Sequence, residues 1–150
     1  MDDDGLLVAQ AAAGPKVGTS MSGTRSVLIV EDNDRTAELL SLLFSTEGYE
    51  PERLSDGAAA LARLGGEPPA LVVLDVMMPW ASGIDVLQAM RAVPAWSDVP
   101  VIVTSARGAD NEIWEGWRAG ADYYLVKPYK LDDLWATAEK LLLTGEVGTH

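Results

Sequence analysis

A doubly wound α/β fold, with a five-stranded parallel sheet of order 2-1-3-4-5 and five helices, is predicted by three features of the chain. Short apolar runs alternate five times with segments of helical periodicity, which implies parallel strands joined by right-handed crossovers, with helices on both faces. Residues 71–74 (Leu-Val-Val-Leu) and 99–104 (Val-Pro-Val-Ile-Val-Thr) are apolar almost throughout, as in strands covered on both sides. The run at 49–54 is weaker and is interrupted by Pro51, which assigns it to a sheet edge.

Each element has its own signal. Residues 27–30 (Val-Leu-Ile-Val) form the first strand and run into Glu31-Asp32. Asp34 is expected to cap a helix through Glu47, with Leu39, Leu40, Leu43 and Phe44 at helical spacing and Gly48 as its stop. The Ala- and Leu-rich segment 57–64 is the second helix, ended by Gly65-Gly66. Pro68-Pro69 leads into the third strand, which closes on Asp75 and is forced out of the sheet by Pro79. A third helix covers 84–93 and stops at Pro94. The fourth covers 110–119, carries Trp114 and Trp117, and ends at Gly120. The fifth strand is 123–126, followed by Lys127-Pro128. The last helix, 131–143, places Leu131, Leu134, Ala138, Leu141 and Leu142 on one face.

The 150 residues suit a single domain with a real core, and 48 % hydrophobic content excludes a disordered or fibrous chain. Residues 1–24 read as a disordered tail or leader, 25–143 as the folded domain and 144–150 as a C-terminal tail. The absence of cysteine excludes disulfides, thiolate metal sites and a cysteine nucleophile, and fits a cytoplasmic protein. No apolar stretch approaches the roughly 18–20 residues that span a bilayer, so no membrane partner is expected. Twenty-three acids against eleven bases give a net charge of −12, which argues against direct nucleic-acid binding.

In the predicted strand order the first and third strands are neighbours at the switch point of the sheet, where open α/β sheets place their ligand crevice. Glu31, Asp32 and Asp75 therefore meet there, and Thr104 and Lys127 end the fourth and fifth strands on the same rim. Each residue alone has an ordinary explanation: a solvated turn, a strand end, a strand threonine, a surface lysine. Together, five polar groups converge from four strand ends. Two carboxylates at ~4 Å repel by about 4 kcal/mol at an effective dielectric near 20. Either they bind protons or a hard cation neutralises them, and Mg²⁺, with its preference for oxygen ligands, fits. Lys127 supplies a point charge and Thr104 a hydroxyl for a phosphoryl group, leaving Asp75 as the nucleophile.

Four blocks, Val-Leu-Ile-Val-Glu31-Asp32-Asn33, Leu-Val-Val-Leu-Asp75-Val-Met-Met-Pro79 with Gly83, Val-Ile-Val-Thr104-Ser105-Ala106 and Tyr-Leu-Val-Lys127-Pro128, resemble the receiver domain of bacterial two-component response regulators. The likeness covers about residues 25–143, with the blocks in the family's order. It implies the CheY-like, flavodoxin-like form of the fold and transfer of a phosphoryl group onto Asp75 from a sensor histidine kinase or a histidine phosphotransfer protein. It further implies Mg²⁺, for which Mn²⁺ can substitute, held by Asp32, Asp75 and the backbone carbonyl of Met77, with Glu31 assisting through water. Lys127 would bind the phosphoryl group, its bond to Pro128 being cis. Thr104 and Tyr124 match the family's switch pair. Ile113, Tyr124, Val126 and Trp135 are expected to cluster on the face of the fourth helix, fifth strand and fifth helix, a docking surface for a downstream protein.

Met77 and Ala106 occupy positions that influence the water attacking the acyl phosphate. Neither side chain can orient water, so slow self-dephosphorylation is expected, with no enzymatic activity beyond the domain's own phosphorylation and dephosphorylation. Only 144–150 follows the last helix, so the expected setting is a stand-alone receiver. The alternatives are a phosphorelay carrier and a receiver excised from a larger regulator or hybrid histidine kinase. His150 is read as inert tail. A homodimer is compatible with this scheme, although no residue argues for one. A haloacid-dehalogenase-type phosphatase would want an acid where Met77 stands, and a dinucleotide-binding enzyme would want a glycine-rich turn where Glu31-Asp32-Asn33-Asp34 stands. A purely structural docking domain would keep the fold and ignore phosphate.

Overall fold

The computed structural model of the chain describes residues 25–77, 83–106 and 119–144. Five strands, β1 (Ser26–Val30), β2 (Glu50–Leu54), β3 (Leu71–Asp75), β4 (Val101–Ala106) and β5 (Tyr123–Lys127), form one parallel sheet in the order β2-β1-β3-β4-β5. The described helices are α1 (Asp34–Thr46), α2 (Gly57–Arg63), α3 (Gly83–Ala92) and α4 (Leu131–Thr144). The predicted helix at 110–119, its Trp114 and Trp117, and most of the two tails lie outside the described residues.

The apolar runs are continuous because the sheet is covered on both sides, successive side chains alternating between two cores. Leu28, Val30, Val72, Leu74, Val101 and Val103 face Val86, Leu87 and Met90 of α3 and the indole of Trp96. Val27, Ile29, Leu71, Val73 and Ile102 face Leu40 and Phe44 of α1 and Leu134, Ala138 and Leu141 of α4. Pro51 lies in edge strand β2, opposite Val27, the place in a sheet that tolerates a residue without an N–H.

Local chemistry shifts the predicted start of α1 and both ends of the fourth strand. Asn33, not Asp34, caps α1: its side-chain oxygen accepts from the Thr36 N–H at 2.9 Å. Asp34 is the first helical residue, where a negative charge suits the helix dipole, and it pairs with Arg53. β4 begins at Val101 instead of Val99, since Pro100 cannot donate to the ladder, and it runs on to Ala106 opposite Lys127. Gly48 ends α1 with φ of +92°, a left-handed conformation that a side chain would strain.

At the opposite end of the sheet from the predicted site, Arg91 ties the loops together. Its guanidinium donates to the carbonyls of Ser97, Val99 and Gly120 and to Asp122, whose Oδ2 also accepts from the Val101 N–H at 2.8 Å. Trp96 is fully buried, with its indole N–H on the Gly66 carbonyl at 3.1 Å, the partner a buried tryptophan requires. None of the described helices is long and apolar enough to cross a membrane.

Candidate functional site

Parallel strands that all point one way deliver their last residues to one rim. Asp75 ends β3 and lies in register with Thr104 of β4. Glu31 follows the last residue of β1, its N–H continuing the ladder to the Leu54 carbonyl at 3.0 Å. Glu31 and Asp75 are only 2 % and 3 % exposed, whereas Asp32 faces solvent. Ligand oxygens of Glu31, Asp32 and Asp75 all lie within 4.8 Å of one another. The predicted carboxylate cluster is therefore present.

Lys127 crosses the end of β4 to reach it. Its Nζ is 3.0 Å from Glu31 Oε1 and 3.2 Å from Asp75 Oδ2. Two backbone amides complete the cradle: the Asn33 N–H donates to Glu31 Oε2 at 3.1 Å, and the Met77 N–H to Asp75 Oδ1 at 2.9 Å. The Lys127–Pro128 bond is cis, as the resemblance implied.

The balance of charge is unfavourable as it stands. Three carboxylates against one ammonium leave two negative charges in a half-buried cleft. Burial, and after it the Asp75 charge, hold the Glu31 carboxyl above its ordinary range despite the Asn33 amide and Lys127. Burial by itself would lower the Lys127 pKa, but the Glu31 hydrogen bond and the Asp75 and Glu31 charges leave it raised. A divalent cation carries the charge the cluster lacks. The donors, oxygens with Asp32 facing solvent, suit a hard ion that keeps part of its water.

Thr104 is 1 % exposed, and its Oγ1 has no hydrogen-bond partner among the described residues. An unsatisfied buried hydroxyl is uncommon, and this one stands beside the Asp75 strand end. Gly83 opens α3 against the same place: a Cβ there would lie 2.5 Å from the Asp75 carbonyl oxygen and 2.5 Å from Val76 Cα, so only glycine fits without movement.

Two neighbours of the site were not singled out from sequence. Arg53 of β2 donates from Nε to the Glu31 carbonyl at 2.9 Å. Tyr129 follows the cis proline with its hydroxyl buried; burial first, then the Glu31 charge, push its pKa up to about 12. A cavity of about 430 Å³ beside Lys127 is lined by Thr36, Leu39, Pro128, Tyr129 and Leu131. Tyr129 had one available signal, its place directly after Lys127-Pro128. Arg53 had none, because a strand-edge arginine looks like solvated surface.

Of the four residues expected to form a docking face, Ile113 lies outside the described residues, and Tyr124 and Val126 stand on the same side of β5. Tyr124 is buried among the α3-side core residues. Trp135 packs on the other side of the sheet, its ring 6.0 Å from Phe44 and 6.4 Å from Tyr49. Val126 is 37 % exposed.

Known proteins share these features. The sequence profile of the response regulator receiver domain matches residues 27–139. The transcriptional regulatory protein TcrA of Mycobacterium tuberculosis is 35 % identical over 147 residues, 98 % of this chain and 56 % of that protein. The sensory transduction protein RegX3 of Mycobacterium bovis is 41 % identical over 120 residues, 80 % of this chain and 52 % of that one. The chain spans about half the length of these curated relatives. Among solved structures, the signal receiver domain of a signal transduction histidine kinase from Syntrophus aciditrophicus superposes with a TM-score of 0.72 at 30 % identity, covering 83 % of this chain and 94 % of that one. The chemotaxis response regulator CheY4 of Vibrio cholerae gives 0.72 at 28 % identity, covering 77 % and 97 %. With its sheet order, its acidic rim and these matches in agreement, the chain belongs to the response regulator receiver domain family.

Proposed function

We propose that this domain accepts a phosphoryl group on Asp75 from the phosphohistidine of a kinase or phosphotransfer protein. The observation that carries this reading is the placement of Lys127 against both Glu31 and Asp75, with the buried Thr104 in register beside Asp75. Asp75 Oδ attacks phosphorus, the phosphorus–nitrogen bond to histidine breaks, and a new phosphorus–oxygen bond forms, the imidazole leaving as the neutral ring once it takes a proton.

Mg²⁺, held by Asp32 and Asp75 with Glu31 and the Met77 carbonyl, would supply the positive charge that offsets the carboxylates and the incoming phosphoryl oxygens. The residues present fit that ion, since they are hard oxygen donors with two uncompensated charges. Lys127 pairs with a phosphoryl oxygen, the Met77 amide orients the nucleophilic carboxylate, and Thr104 donates its spare hydroxyl to the new anion. That last contact relieves an unsatisfied group, so phosphorylation favours the conformation in which Thr104 and Tyr124 have moved. Met77 and Ala106 offer no hydrogen bond to an attacking water, and the phosphoryl group is lost slowly.

Of the settings for such a domain, the lengths of the curated relatives favour a module of a larger response regulator over a receiver acting alone. The Syntrophus structure, a receiver belonging to a histidine kinase, keeps the hybrid-kinase setting in view. In either case the phosphodonor is a histidine protein and the output is a partner surface. Incubation with acetyl phosphate and Mg²⁺ should add one phosphoryl group to the intact protein and none to Asp75→Ala. Equal labelling of both proteins would refute the assignment.

A further inference from the structure

Arg53 brackets the segment that presents the acidic residues of the site. From edge strand β2 its Nε donates to the Glu31 backbone carbonyl at 2.9 Å, and its Nη2 lies 2.9 Å from Asp34 Oδ1. The two contacts are three residues apart, at either end of the turn Glu31-Asp32-Asn33-Asp34. The Nη2 contact is close enough for an ion pair but off the hydrogen-bond axis, so it acts mainly as charge attraction and is the weaker of the two. The same turn is held from within by the Asn33 amide on Glu31 and by the Asn33 cap on Thr36.

We propose that Arg53 is a positioning residue for the divalent cation: it braces the turn so that the Asp32 carboxylate is held toward Asp75. This rests on the reading of the carboxylate cluster as a cation seat. Groups that orient metal ligands from behind typically change metal affinity by 10–100-fold when removed. Arg53 also has an opposite effect, because its positive charge repels a cation. That repulsion is offset by the Asp34 carboxylate 2.9 Å from Nη2, which leaves the pair close to neutral as seen from the cation seat, and salt reduces the remainder. Bracing and repulsion therefore predict changes of opposite sign, with bracing the larger.

Calorimetric titration with Mg²⁺ alone, on unphosphorylated protein, separates the two. Arg53→Ala should bind Mg²⁺ about tenfold more weakly than the wild type. Arg53→Lys keeps the charge but has one ammonium that cannot make both contacts, so it should also weaken binding. Asp34→Asn, which removes only the weaker contact, should have a smaller effect of the same sign. Tighter or unchanged binding by Arg53→Ala, or wild-type affinity in Arg53→Lys, overturns the brace. If Arg53→Ala does not fold, as judged by circular dichroism, Arg53→Lys decides. A wild-type protein that takes up no Mg²⁺ would instead remove the cation seat itself, and the brace with it.

Discussion

Lys127 and Glu31, ninety-six positions apart in the chain, meet at 3.0 Å on the rim of the sheet, where Glu31 is 2 % exposed. The same ammonium lies 3.2 Å from Asp75, so one cation compensates two buried acids. Lys127→Met should destabilise the protein by about 2 kcal/mol, below the 3–5 kcal/mol for a fully buried pair because the lysine is partly exposed. Saturating Mg²⁺ should restore much of the loss. Urea midpoints with and without Mg²⁺ check this; a variant as stable as the wild type in its absence would contradict it.

The pH dependence of stability follows from the same group of charges. The Glu31 carboxyl is raised above its ordinary 4.5 by burial and by Asp75, so the native state binds that proton more tightly than the unfolded chain. Stability therefore falls as pH rises from 4.5 through the raised native value. Lys127 is raised above 10.5 in the folded state, the Glu31 and Asp75 interactions outweighing burial. Its contribution is complete below 10.5 and is lost as pH rises through its native value. In denaturation series without divalent ions, Glu31→Gln should flatten the acid-side slope. An unchanged slope would remove Glu31 as its cause.

Thr104 retains a buried hydroxyl with no partner among the described residues. Thr104→Val keeps the shape and removes the unsatisfied group, and should stabilise the unphosphorylated protein by roughly 1 kcal/mol. It should also blunt the change in amide hydrogen exchange that phosphorylation produces around Tyr124. A destabilised valine variant would show that the hydroxyl is already bonded.

Gly83 fixes how closely α3 approaches the Asp75 strand end. Gly83→Ala meets the Asp75–Val76 backbone at 2.5 Å, and overpacking of that kind costs about 1–3 kcal/mol. The displaced strand end should also slow phosphorylation of Asp75 by acetyl phosphate. Gly65→Ala is the control, since its Cβ would meet nothing nearer than 3.7 Å. Equal behaviour of the two variants would contradict the close approach.

Much of this arrangement was legible in the sequence because strand ends are. Apolar runs that stop at Glu31, Asp75 and Lys127 mark their own termini, while the run to Thr104 stops two residues short of the end of β4, and Pro51 marks the edge, so order and rim follow largely from pattern. The helix cap moved from Asp34 to Asn33 because both residue types can cap, and only the backbone decides between them. The packing of Trp135 was not legible for a different reason: the face a helix presents depends on which neighbour buries its stripe, here Phe44 and Tyr49 of the α1 side. Arg53 left no local trace, since its partners are backbone and an exposed acid on another element.

The central claim is that the rim carboxylates form a Mg²⁺-dependent acceptor centred on Asp75. Borohydride reduction after treatment with acetyl phosphate, followed by peptide mapping, tests it most directly, because it converts an aspartyl phosphate into homoserine at the labelled position. Homoserine should be found at position 75, with Mg²⁺ and not in its absence. Label at another residue, or at Asp75 to the same extent without a divalent cation, would contradict the account.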